Sequence, residues 1–164
     1  IVPSVSTPEE AELAVKAVYY PPRGRRGMGL ARAHMYGADF NGYLKRLQKE
    51  AVVVAMIENV QGVKNAERIL GVDGIDAYFL GPYDLSASLG LNGKTSHPKV
   101  EKAIAEVRAA GKRANKPGGI HVVEPDPAAL KRRIKEGFRF VAYSLETRIY
   151  DVNARAALRA ARGS

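Results

Sequence analysis

One stretch of continuous apolar residues restricts the fold of this chain more than any other feature. Residues 51–57 read Ala-Val-Val-Val-Ala-Met-Ile. If they form a strand, neither of its faces carries a polar side chain that could face solvent. A strand that is buried on both faces is typical of parallel sheets, whose crossover helices cover the sheet. No apolar run approaches the roughly 18 residues of a membrane-spanning helix. The sequence therefore predicts a parallel α/β protein and excludes an integral membrane protein.

Strand and helix patterns alternate along the whole chain. We predict strands at residues 1–5, 51–57, 77–80, 119–123 and 138–143, and helices after residue 7 and at 40–49, 63–70, 98–113, 128–136 and 150–161. The first helix has a capping box, in which Thr7 and Glu10 satisfy the free amides, and Pro8 suits its first turn. Residues 19–29 and 81–88 are predicted loops. Five strand–helix units in series require a parallel sheet with right-handed crossovers.

Two architectures contain such a series of units. Five units in 164 residues average about 33 residues each, so eight would need about 260, close to the usual size of a (β/α)₈ TIM barrel. One alternative is a complete five-stranded, doubly wound domain. The other is the C-terminal five-eighths of a TIM barrel, with residues 1–164 as one domain. We favour the barrel because the chain opens directly on a strand.

The charge and the residue composition narrow the function classes. The chain has 26 Lys and Arg against 17 Asp and Glu, a formal net charge of +9. The basic residues are spread along the chain without interleaved aromatics, so we predict an anionic small-molecule substrate and no nucleic-acid partner. The absence of cysteine excludes disulfides, cysteine-bound zinc and thiol nucleophiles. The N-terminus has no signal-peptide pattern, and we predict a cytoplasmic protein.

Two carboxylates follow neighbouring predicted strands. Glu58 ends the apolar run on the same side as Met56, and Asp84 comes shortly after the strand at 77–80. Ligands gather at the C-terminal ends of parallel strands, and carboxylate oxygens suit Mg²⁺ or Mn²⁺ better than zinc. Each residue also has a structural alternative. Glu58 could begin a solvated loop, and Asp84 could cap a short helix.

Other polar residues carry weaker signals. Gly81 and Pro82 predict a tight turn in which backbone amides approach a ligand closely. His97, before Pro98, is predicted to be a capping or surface residue. His121 lies within a strand and is either a core residue or a functional one.

Several motifs together are similar to one known family. They are VPSV at 2–5 with TPEEA at 7–11, YPPRGRRG at 20–27, MIE at 56–58, VDGID at 72–76, GPYDLS at 81–86 and FVAY at 140–143. In this order they resemble the HpcH/HpaI aldolase family, which comprises pyruvate-dependent class II aldolases related to citrate lyase β-subunits. The resemblance covers nearly the whole chain and implies a TIM barrel of which this chain supplies about the last five βα units.

The resemblance also implies a site. It implies a divalent metal on Glu58 and Asp84, either Mg²⁺ or Mn²⁺ with Co²⁺ as an alternative. It implies substrate contacts from Gly81, Pro82, His34, Met56 and His121. Two positions depart from the family pattern: Met56 replaces a glutamine common among members, and Tyr83 replaces a small residue.

The implied activity is a carbon–carbon lyase. Such an enzyme cleaves a 4-hydroxy-2-oxo acid to pyruvate and an aldehyde through an enolate that the metal stabilises. Two alternatives are a citrate-synthase-like condensing enzyme of the same fold and a non-catalytic ligand-binding fragment. The family's catalytic His base and Arg lie on strands that have no counterpart here, so the catalytic residues are unknown. We expect the chain to be part of a larger polypeptide and to show little turnover alone. The family also implies a homo-hexamer, often with the last helix packed on a neighbouring subunit.

Overall fold

The fold is an alternation of short parallel strands and longer helices. A computed structural model describes residues 1–163. The strands are β1 (Val54–Ile57), β2 (Ala77–Leu80), β3 (Gly118–Val122) and β4 (Phe140–Tyr143). The helices are α1 (Pro8–Val18), α2 (Phe40–Glu50), α3 (Val60–Leu70), α4 (Pro82–Ser88), α5 (Pro98–Arg113), α6 (Pro127–Lys135) and α7 (Glu146–Arg162), with a 3₁₀ segment at Arg32–Gly37.

The strand order distinguishes the two predicted architectures. The four strands are parallel and follow the chain order, β1-β2-β3-β4. A doubly wound sheet reverses its order at a switch point, whereas strands of a barrel succeed one another around the ring. The order therefore supports the barrel segment and not the doubly wound domain.

The predicted strand at residues 1–5 is reduced to a single bridge. Val2 pairs in parallel with Ala55, and the Val5 amide donates to the Met56 carbonyl at 3.0 Å. Between these contacts the chain turns, because Ser4 has a φ of +55°, which no strand residue adopts. The prediction of a fifth continuous strand is wrong, although this segment lies beside β1 where the barrel order requires it.

The helices cover one face of the sheet. Buried residues of α1, α3 and α5 pack against alternate strand residues such as Ile57, Leu80 and Ile120. The other face carries a smaller cluster that consists of strand residues alone: Val54, Met56, Ala77, Phe79 and Phe140. Phe140 stacks on Phe79 at 5.7 Å between ring centroids. Helices on one face and side-chain packing on the other are typical of a barrel wall and its interior.

Several boundaries differ from the predictions. The predicted loop at 81–88 contains the two-turn helix α4, because Pro82 occupies a first-turn position where its missing amide costs nothing. Helix α3 begins at Val60, where Asn59 supplies the N-cap, and α7 begins four residues earlier than predicted. The capping box of Thr7 and Glu10 and the cap at His97 are confirmed.

Within residues 1–163, no helix combines the length and the apolar character that crossing a membrane requires.

Candidate metal centre

The strand register brings several predicted site residues into one layer. Ile57 pairs with Leu80, so Glu58 and Gly81 are the next residues at the C-terminal edge of β1 and β2. On the neighbouring strand His121 lies one step beyond Ile120, which pairs with Leu80. Strand alternation places these residues on the face of Met56 and Phe79, away from the helices. The register therefore aligns Glu58, Gly81 and His121 along the sheet edge where barrel ligands bind.

Glu58 is a buried carboxylate. Its relative exposure is only 6%, so the alternative of a solvated loop residue is wrong. One carboxylate oxygen, Oε1, accepts hydrogen bonds from the Ser4 amide at 2.8 Å and from the Ser4 hydroxyl at 3.0 Å. A buried charge is costly unless hydrogen bonds or a counter-charge compensate it. Ser4 supplies the hydrogen bonds on one side of this group.

The second carboxylate oxygen of Glu58 lies against Gly81. A β-carbon at Gly81 would lie 2.5 Å from Oε2 and 2.8 Å from Cε of Met56, so only glycine fits there without displacement. Across residues 1–163, Oε2 has no hydrogen-bond donor. None of the ion pairs in the same part of the chain involves Glu58 or Asp84. Glu58 is thus a largely buried carboxylate, one oxygen of which accepts no hydrogen bond from a described residue.

Asp84 lies in the first turn of α4, three residues after Gly81. Its side chain is exposed, and Gly81 occupies the N-cap position of the helix without any side-chain cap. Asp84 makes no side-chain hydrogen bond to a described residue, so the capping alternative is wrong. Glu58 packs on Gly81, the residue that precedes α4, and Asp84 belongs to the first turn of that helix.

These residues fit a magnesium-type ion. The donors are carboxylate oxygens, which such cations prefer, and residues 1–163 contain no group of three His, Cys, Asp or Glu side chains placed to share a metal. Mg²⁺ and Mn²⁺ are often held by one or two carboxylates, with water or substrate oxygens completing the octahedron. Two carboxylates match that mode in number and in chemistry, whereas a structural zinc site takes four protein ligands.

His121 and its neighbours line a small cavity beside this layer. The cavity has a volume of about 200 Å³, and its walls include Pro82, Tyr83, Ser96, His121 and Glu124. His121 is half-buried, and its Nε2 lies 3.3 Å from the Ser144 carbonyl. Of the predicted substrate residues, Pro82 and His121 therefore border one cavity, while Met56 and Gly81 contact each other.

His34 has its contacts in a different part of the chain. It is 1% exposed, and its Nδ1 accepts from the Gly37 amide at 3.1 Å. Its Nε2 lies 3.0 Å from the Ala31 amide and 2.8 Å from the Gly29 carbonyl. Its ring packs on Phe40 and Tyr43. These contacts lie within residues 29–43, and the structure does not bring His34 into contact with Glu58 or Gly81.

An ion pair at the rim of the cavity was not predicted. Arg148, at the start of α7, donates from Nη2 and Nε to the Glu124 carboxylate at 2.8 and 3.1 Å. These hydrogen bonds raise the pKa of Arg148. The Tyr83 hydroxyl lies 3.5 Å from the same carboxylate. This ion pair could not be predicted from the sequence, because Arg148 and Glu124 are 24 residues apart and neither belongs to a local motif.

The sequence matches a known family model over residues 1–151, that of the HpcH/HpaI aldolase/citrate lyase family. The chain belongs to this family. The resemblance and the barrel fold predicted from the motifs are thereby confirmed.

Two curated relatives are aldolases. The chain is 40% identical over 147 residues to the hydroxypyruvate/pyruvate aldolase of Sagittula stellata, a match covering 89% of this chain and 57% of the relative. It is 38% identical over 151 residues to the 5-keto-4-deoxy-D-glucarate aldolase of Escherichia coli (strain K12), covering 92% of this chain and 58% of that protein. The chain thus spans less than two thirds of the length of either relative.

Solved structures show the same fold. An HpcH/HpaI aldolase/citrate lyase family protein from Burkholderia cenocepacia J2315 superposes with a TM-score of 0.89 at 36% identity, covering 98% of this chain and 63% of that chain. A citrate lyase β subunit from M. tuberculosis, complexed with oxaloacetate and magnesium, gives a TM-score of 0.50 at 18% identity over 62% of this chain and 51% of that one. At that identity the second likeness shows the fold alone.

Proposed function

We propose that this chain carries the metal-binding part of a divalent-metal-dependent carbon–carbon lyase. The enzyme would cleave a 4-hydroxy-2-oxo acid to pyruvate and an aldehyde. Both curated relatives are aldolases at 38–40% identity, which favours cleavage over a citrate-synthase-like condensation. The substrates named for the two relatives differ, so the proposal is limited to the 2-oxo acid class.

One observation carries this proposal. Glu58 is buried at the C-terminal edge of the sheet, and its Oε2 has no partner among the described residues. A carboxylate that is largely removed from water and leaves one oxygen without a hydrogen-bond donor is suited to bind a cation. The family fold supplies the reason for a cation at this edge, and Asp84 offers a second carboxylate three residues beyond the glycine that Glu58 contacts.

Each residue of the proposed site would have a separate role. Glu58 and Asp84 would hold the cation, which supplies Lewis-acid stabilisation of the negative charge that develops on the 2-oxo group. The turn at Gly81 and Pro82 would let the backbone approach the 2-oxo acid closely. His121 and Tyr83 border the 200 Å³ cavity and would contact the remainder of the substrate.

The proposal has a direct binding test with the full 164-residue chain. Mn²⁺ binding is measured by the electron paramagnetic resonance signal of the free ion, with and without pyruvate. If pyruvate binds to the bound ion, linkage requires that it tighten Mn²⁺ binding, and we expect an effect of about tenfold. Acetate, which has a carboxylate but no keto oxygen, should have less effect. Glu106→Gln, on the exposed surface of α5, is the matched control for Glu58→Gln.

The outcomes separate the proposal from its alternatives. Loss of Mn²⁺ binding in Glu58→Gln and Asp84→Asn but not in Glu106→Gln supports it. Mn²⁺ binding that does not respond to pyruvate indicates a binding fragment of another kind. Release of pyruvate from a 4-hydroxy-2-oxo acid, if the chain catalyses any, must stop on addition of a chelator. Turnover that is indifferent to the chelator overturns the metal mechanism.

The remaining expectations belong to the same proposal. Mg²⁺ or Mn²⁺ is the expected ion, with Co²⁺ as the alternative. A homo-hexamer follows from the family resemblance, and a cytoplasmic location from the sequence composition. An anionic 2-oxo acid is compatible with the net charge of +9.

A further inference from the structure

Ser4 has a backbone conformation that requires an explanation. Its φ of +55° is in the left-handed region, which is unfavourable for residues other than glycine. Such strain persists only where the surroundings fix it, and it gathers at functional sites. Here the conformation directs both the amide and the hydroxyl of Ser4 to one oxygen of Glu58, at 2.8 and 3.0 Å.

The turn that carries Ser4 is anchored on both sides. Val2 and Val5 bond to the backbone of β1, and the Ser6 hydroxyl donates to the Ser4 carbonyl at 3.0 Å. The Ser6 hydroxyl in turn accepts from the Asn59 side chain at 2.7 Å, next to Glu58 in sequence. The position of Ser4 relative to Glu58 is therefore set by several hydrogen bonds and not by one exposed side chain.

This arrangement leaves Glu58 with one available oxygen. Oε1 accepts two hydrogen bonds from Ser4, while Oε2, beside Gly81, accepts none from the described residues. A carboxylate held in this way can bind a cation through a single oxygen. Ca²⁺ commonly takes both oxygens of a carboxylate within a large coordination shell, whereas Mg²⁺ requires a compact octahedron.

We propose that Ser4 is a positioning residue that holds Glu58 as a one-oxygen ligand and so makes the site select small cations over Ca²⁺. This inference rests on the proposed function, because it takes Glu58 to be a metal ligand. The observation that carries it is the pair of Ser4 donors on one carboxylate oxygen.

The test compares two serines in the full chain. Ser4→Gly removes the hydroxyl and retains the amide, and glycine adopts the positive φ without strain. Ser144→Gly is the matched control, because Ser144 likewise has a positive φ, +57°, and its buried hydroxyl has no hydrogen-bond partner among the described residues. Mn²⁺ affinity is measured by electron paramagnetic resonance, and Ca²⁺ affinity by competition with Mn²⁺. Thermal unfolding without metal checks that each variant is folded.

We expect Ser4→Gly to weaken Mn²⁺ binding about tenfold, as loss of a residue that orients a metal ligand does. The ratio of the Ca²⁺ to the Mn²⁺ dissociation constant should fall by a similar factor, and Ser144→Gly should change neither value. If both constants rise together in Ser4→Gly, or if neither changes, the selectivity role is overturned while the metal site stands. If the unaltered chain binds no Mn²⁺, both this inference and the proposed function fail.

Discussion

Gly81 is the residue whose size most directly controls the proposed metal ligand. Its φ of −103° is open to any residue, so the requirement for glycine is one of space. An added β-carbon would lie 2.5 Å from Oε2 of Glu58 and 3.1 Å from its Cβ. The oxygen that we propose as a metal ligand therefore occupies the space that a side chain at residue 81 would need.

We predict that Gly81→Ala displaces the Glu58 carboxylate and weakens Mn²⁺ binding about tenfold. Crowding should also lower the free energy of unfolding by about 1–2 kcal/mol. Mn²⁺ titration and urea unfolding measure the two effects. Gly29→Ala is the control, because a β-carbon there meets nothing within 4 Å. Unchanged Mn²⁺ affinity in Gly81→Ala would contradict the placement of the ligand.

The sequence predicts the side of the strand on which Glu58 lies, but not all of the contacts that Glu58 makes. The alternation of Val54, Met56 and Glu58 along one strand was enough to predict on which side the carboxylate lies. The contact of Glu58 with Ser4 was not predictable, because the residues are 54 positions apart and the turn at Ser4 depends on hydrogen bonds to β1. The pairing of Glu58 with Asp84 was predicted from their positions after consecutive strands, and the family resemblance implied the same pair.

Among the elements, α6 is attached to α5 by a buried arginine. Arg133, in α6, is 5% exposed and contacts Glu101 of α5 at 2.8 Å and Glu136 at 2.9 Å. These partners raise the pKa of Arg133 in spite of its burial, which acts in the opposite direction. Arg132 contacts the same Glu101 at 3.2 Å, with about half of its side chain exposed.

We predict that Arg133→Met lowers the free energy of unfolding by about 2 kcal/mol, because it leaves two partly buried glutamates without their main partner. The value is below the 3–5 kcal/mol of a fully buried pair. Arg132→Met should cost less than about 1 kcal/mol, as exposed ion pairs do. Urea unfolding of both variants gives the comparison, and equal losses would show that burial does not decide the strength of these contacts.

Helices and strands were predicted accurately where neighbouring residues in the sequence mark their ends. The strand at 77–80 and the helix at 98–113 were predicted at their observed bounds, because apolar periodicity and Pro98 are local features. The strand at 1–5 was overpredicted, since its apolar pattern does not reveal the turn at Ser4. The 3₁₀ segment at Arg32–Gly37 was missed because its positive φ values at Met35 and Tyr36 have no glycine to signal them.

At the scale of the whole molecule, α7 contributes little to the packing of the chain. None of its side chains is buried, and Tyr150 and Leu158 are 77% and 56% exposed. Apolar residues exposed along one helix are typical of an interface between molecules. Because the family resemblance implies that the last helix packs on a neighbouring subunit, we expect the proposed homo-oligomer to form through this helix.

We predict that Leu158→Asp shifts the molar mass in light scattering toward the 17.8 kDa of a single chain. Far-ultraviolet circular dichroism should remain unchanged, because Leu158 supports no core. Arg159→Asp adds the same acid at the next exposed position and is the control. An oligomer that is insensitive to Leu158→Asp, or equally sensitive to both changes, would contradict a contact through Leu158.

At this scale too, we propose that Glu58 and Asp84 bind one divalent cation together. Crystals of the chain grown with Mn²⁺ and measured by anomalous diffraction locate the ion directly. We expect one strong peak about 2.1 Å from Oε2 of Glu58 and from an Asp84 oxygen, the distance of a small octahedral ion. A peak at other carboxylates such as Glu124, or the two carboxylates pointing apart with no ion between them, would contradict it.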